Sequence, residues 1–112
     1  MNTNNTNRLP TAVVRYLNAV NRFDAAGAAA CFTPNATVRD EQKDHVGSSA
    51  IERWVSQTSR EYRPHATVTS AQTIADAVQM VVSVTGKFPG SPIKLDYELR
   101  LQDGKIAQLN IR

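Results

Sequence analysis

The sequence predicts an α+β fold in which three helices precede most of an antiparallel sheet. Two observations carry this. The hydrophobic period is 3.6 residues through most of the first half and changes to 2 from His65 onward. The apolar alternations of the second half are separated by turns too short for a crossover, so consecutive strands run antiparallel. The length, 112 residues, suits one domain with one core.

The first nine residues, MNTNNTNRL, are polar and carry no apolar core of a leader, so they read as a flexible tail before a single domain over 10–112. Pro10 suits a first helical turn, where its missing N–H costs nothing. Val13, Tyr16, Leu17 and Val20 then recur at i, i+3, i+4 and i+7, one face of a helix to about Asn21. Asp24 can cap a second helix, Ala25 to Phe32, with Ala25, Ala28, Ala29 and Phe32 inward and Pro34-Asn35 ending it. A short strand follows from Ala36 to Glu41, with Ala36, Val38 and Asp40 on one face. Gln42 to Val46 reads as polar loop.

Ser49-Ala50-Ile51-Glu52 matches a capping box and opens a third helix, with Ile51, Trp54, Val55, Thr58 and Tyr62 inward, closed by Pro64. His65 to Ile74 reads as a strand, followed by Val78–Val84, Leu95–Leu101 and Ala107–Ile111. Phe88-Pro89-Gly90-Ser91 carries a type II turn signature, and Asp103-Gly104 a hairpin turn. The order is ααβαββββ. The sheet face away from the helices would present Thr67, Thr69, Thr73, Gln79, Ser83 and Thr85, moderately polar and able to meet water or a second copy in a homodimer.

Hydrophobic residues make up 41% of the chain, and no apolar run approaches a membrane span. Net charge is +3, but the basic residues are scattered without a stripe or motif, which argues against nucleic acid as a partner. One cysteine, Cys31, excludes an internal disulfide and fits a reducing cytoplasm. His45 and His65 match no metal-ligand spacing, and no phosphate loop, dinucleotide fingerprint or nucleophile triad is present, so neither metal nor organic cofactor is expected.

Asp40 carries the most information. A carboxylate on the row of Ala36 and Val38 is either a general base lining a pocket or the first residue of the polar loop. Tyr16, on the inner stripe of its helix, needs a buried partner or a ligand for its hydroxyl. Val13, Leu17, Val38, Trp54, Val84 and Leu99 could line a pocket for a small apolar molecule or simply fill a core.

Thr11-Ala-Val-Val, Arg15-Tyr16, Asn21, Asp24, Phe32 and Ala36-Thr-Val-Arg-Asp40 together resemble the start of bacterial ketosteroid isomerase, and Gly47 to Ile51 fits after a shorter loop. The element order is similar to the nuclear transport factor two-like superfamily, which includes SnoaL-like proteins. That resemblance implies a cone-shaped roll with a pocket between helices and sheet. It also implies cofactor-independent proton transfer next to a carbonyl, isomerase-like or cyclase-like, with Asp40 as base and Tyr16 as oxyanion donor. For a second donor, counting back from Gly104-Lys105 gives Asp96. Strand alternation instead points Tyr97 inward and Asp96 outward, and burying Asp96, Glu98 and Arg100 together would be costly. The alternative is a non-catalytic binding or dimerisation module, in which Asp40 is exposed or paired with Arg39 or Lys43. A hydrolase or dehydratase using a water held by Asp40 is a third reading.

Overall fold

The computed structural model describes residues 9–112. Of the proposed tail, positions 1–8 lie outside the described residues, while Leu9 packs partly buried against the core. The elements are α1 (Thr11–Asn21), α2 (Ala25–Ala29), β1 (Phe32–Asp40), β2 (Lys43–Val46), α3 (Ser48–Tyr62), β3 (His65–Ile74), β4 (Ala77–Thr85), β5 (Ile93–Gln102) and β6 (Lys105–Ile111). Three helices and a six-stranded sheet make an α+β fold, in the order ααββαββββ rather than ααβαββββ.

The extra element is β2. Glu41 and Gln42 both take positive φ, 53° and 65°, which turns β1 back on itself through a two-residue hairpin. Such turns favour Asn and Gly, so Glu-Gln gave no signal. The second helix is shorter than expected because Phe32 enters the sheet. It pairs with Ile106, the Ile106 N–H bonds the Cys31 carbonyl at 2.9 Å, and its ring meets Tyr16 edge-on at 5.4 Å. Pro34 falls in the irregular stretch of β1, between Phe32 and Thr37, where a missing N–H interrupts no regular ladder.

The capping box does not form. The third helix begins at Ser48 with Gly47 as its N-cap at φ 90°, two residues before the expected cap at Ser49. The Gly47 N–H bonds the Ala36 carbonyl at 2.9 Å, which ties the helix entrance to β1. Asp24 does cap α2, accepting from the Gly27 N–H at 2.9 Å.

The strand order is β2-β1-β6-β5-β4-β3. All pairs are antiparallel except β1 with β6, which run parallel. The sheet is therefore mixed, which local turn signals could not reveal because β1 and β6 are separated by most of the chain. Irregularities in β1, β3 and β5 bend it. The one in β3, between Val68 and Ser70, also shifts parity. Thr73 pairs with Val78 and so belongs to the helix-side row, whereas Thr67 stays on the outer face opposite Ser83.

Val13, Val38, Ile51, Val55, Val82, Leu99 and Leu109 are fully buried between helices and sheet. At the open edge, Asn21 at the end of α1 substitutes for a missing strand. Its amide donates to the Ala66 carbonyl at 2.9 Å and accepts from the Ala66 N–H at 2.8 Å. No helix among the described residues is long and apolar enough to cross a membrane.

Candidate active site

The inward row of β1 runs Ala36, Val38, Asp40, with the first two buried and Asp40 half-buried at the strand end. Opposite it, α3 brings Trp54, whose indole N–H donates to Asp40 Oδ2 at 3.1 Å. The β1–β2 register sets His45 beside Val38, and its ring stacks on Trp54 at 5.8 Å between centroids. Arg39 points the other way and pairs with Asp44 at 2.9 Å. Among the described residues Asp40 has no ion-pair partner, although Lys43 lies directly across the hairpin.

Asp40 faces a cavity of about 420 Å³ between α1, α3 and the sheet. Tyr16 comes to it from α1 and Tyr97 from the inner row of β5, both buried. Trp54 and Val84 also line it. Five expected site residues therefore share one space: Asp40, Tyr16, Tyr97, Trp54 and Val84. Asp96 lies exposed on the outer face, its backbone N–H and carbonyl both bonded to Arg112 at 3.0 Å. Val13, Leu17, Val38 and Leu99 do not border the cavity. They are packed out of it among core side chains, because a helix stripe or strand row touches empty space only over the part left uncovered by its neighbours.

Sequence reasoning missed the mouth. Tyr62, Pro64, Phe88, Pro89 and Ile93 surround it, with Glu41 on the rim. Tyr62 closes the inner stripe of α3 and could have been found there. Phe88 and Pro89 carry only a turn signal in the sequence. The loop that carries them is anchored by the Lys87 N–H on the Tyr62 carbonyl at 2.6 Å, and the Phe88 ring meets Tyr62 edge-on at 6.0 Å.

Burial pushes the Asp40 carboxyl above its usual range. The Glu41 charge adds to this, while the Trp54 hydrogen bond and His45 oppose it. Burial likewise raises both phenols, so each stays protonated and able to donate. The next causes are the Tyr97 phenol and then Asp40 for Tyr16, and Asp40 for Tyr97. The arrangement thus holds a carboxylate of raised basicity and two neutral donors around an apolar space, a set able to accept a carbon-bound proton and bind an oxyanion. Among the described residues, no group of three His, Cys, Asp or Glu side chains is placed to hold a metal.

Residues 13–109 match the family profile of the SnoaL-like domain. No curated protein matches the chain. Among solved structures, a proposed polyketide cyclase from Sinorhizobium meliloti is 33% identical with a TM-score of 0.90, over 94% of this chain and 96% of that one. A protein of ketosteroid isomerase-like fold from Catenulispora acidiphila, solved in complex with trimethylamine, is 20% identical with a TM-score of 0.82, over 92% of this chain and 85% of that one. A nuclear transport factor two-like protein from Cytophaga hutchinsonii is 18% identical with a TM-score of 0.78, over 100% of this chain and 93% of that one. The profile spans most of the chain and the fold agrees throughout, so the chain belongs to the SnoaL-like domain family.

Proposed function

We propose that the protein is a cofactor-independent enzyme that removes a proton from the carbon next to a carbonyl of a small, largely apolar substrate. The Asp40 carboxylate takes the proton and becomes a carboxylic acid, and the C–H electron pair forms an enolate. Tyr16 and Tyr97 donate hydrogen bonds to the enolate oxygen, strengthening as charge develops there. In a β,γ-unsaturated substrate the intermediate is a dienolate, and the carboxyl proton returns to its γ carbon as the double bond moves into conjugation, an isomerisation. Otherwise the enolate carbon attacks a second carbonyl of the same molecule, whose C=O π pair moves to its oxygen and takes the proton from Asp40, a cyclisation. The likeness to a proposed polyketide cyclase favours the second outcome.

One observation carries the reading: Asp40, Tyr16 and Tyr97 border the same cavity, with Asp40 unpaired and only half-exposed.

The test is exchange of the α-protons of 2-tetralone in D2O, followed by proton NMR. The wild type is expected to accelerate exchange over buffer. Asp40→Asn should abolish the acceleration, since general-base catalysis is worth about 10²–10⁴-fold. Tyr16→Phe should lower it by about 10²-fold, the scale of one lost oxyanion donor. Exchange no faster than buffer across a panel of cyclic ketones, or an Asp40→Asn variant as fast as wild type, rejects the reading.

A further inference from the structure

The charge pattern around the cavity says something about what enters it. Five aromatic rings border it: Tyr16, Trp54, Tyr62, Phe88 and Tyr97. Asp40 lines it without an ion-pair partner, and Glu41 stands on its rim. None of the described Lys, Arg or His side chains lines it. That absence stands out in a chain of net charge +3 with 13 Lys and Arg.

Three of the arginines next in sequence to lining residues are engaged elsewhere. Arg39, beside Asp40, pairs with Asp44. Arg63, between Tyr62 and Pro64, sits 3.9 Å from the centroid of the Phe23 ring. Arg112, after Ile111, pairs with Glu98 on the outer face. The lining thus holds no fixed positive charge and combines five aromatic rings, whose faces carry negative potential, with a half-buried carboxylate. A carboxylate or phosphate ligand would meet repulsion there and find no counter-charge. A tertiary or quaternary ammonium would meet attraction from both kinds of wall.

We propose that the cavity selects small organic cations, so that the carbonyl substrate of the reaction above bears a tertiary or quaternary ammonium group. The identity of the reacting group rests on that earlier reading, but the charge selectivity stands without it.

Three probes of one shape separate charge from size: choline, 3,3-dimethylbutan-1-ol and 3,3-dimethylbutanoate. Trp54 is the only tryptophan, so its emission reports occupancy directly. At about pH 8, well above the usual carboxylate range, choline is expected to bind at least about tenfold more tightly than the alcohol, with the carboxylate weakest. In Asp40→Asn the preference for choline should fall to about threefold or less while the alcohol binds as before. The inference is overturned if the alcohol matches choline, if Asp40→Asn leaves the preference intact, or if choline fails to bind at about 50 mM, far above a useful affinity. Ketone exchange in the presence of any of these results condemns the cation selectivity alone. A choline preference without ketone exchange condemns the enolate chemistry alone.

Discussion

Asp40 is held in a position that costs the fold something. Its carboxyl is raised by burial, so between the ordinary carboxylate value and its own the folded protein binds more protons than the unfolded chain. Stability from this group is therefore fully present at low pH and is lost as pH rises through the folded value. Asp40→Asn should raise the urea midpoint at neutral pH, with the gain disappearing below the ordinary carboxylate range; a gain that persisted in acid would assign it to something other than ionisation. Three site residues could be read from sequence because each sits on a periodic row: Tyr16 on a helix stripe, Asp40 beyond Ala36 and Val38, and Tyr97 by strand alternation against the competing Asp96. The exclusion of Val13, Leu17, Val38 and Leu99 from the cavity could not be read. Periodicity says which way a side chain points and not whether anything fills the space in front of it.

Elements were legible where their signals were local. The bounds of β3 were read as His65–Ile74, and the Pro89-Gly90 turn closes with Gly90 at φ 91° and the Ser91 N–H on the Phe88 carbonyl at 3.3 Å. They were illegible where a distant partner decided, as with Phe32 drawn into the sheet by Ile106, or where a turn used unfavoured residues, as at Glu41-Gln42. The loop from Gly86 to Pro92 shows how one small residue sets the cavity mouth. A Cβ on Gly86 would lie 2.5 Å from the Tyr62 carbonyl oxygen, a backbone atom with little freedom to yield. Gly86→Ala should lose about 1–3 kcal/mol by urea unfolding. It should also weaken ligand binding by loosening Phe88 from Tyr62. An unchanged midpoint with unchanged binding would mean that the loop is not docked through this contact.

At the scale of the molecule, the outer face of the sheet offers a shallow concave surface in which Ser70, Val81, Gln79 and Asp96 adjoin. We propose that it pairs two copies of the chain. Light scattering at micromolar concentration should give twice the chain mass, and Val81→Glu should weaken the association at least about tenfold by burying an unpaired charge; a wild-type monomer at that concentration ends the proposal. The placing of β6 has a further consequence, for the time course of folding. β6 is the final strand, yet it lies between β1 and β5 and is the sole hydrogen-bonded link between the β1–β2 hairpin and the other strands. On a ribosome, β1 and β2 emerge early and must wait, with one edge unsatisfied, until β6 has been made. Folding should therefore be slow for so small a chain, since its decisive pairing closes a very long loop. The waiting hairpin is where a nascent chain would be open to aggregation or to a chaperone.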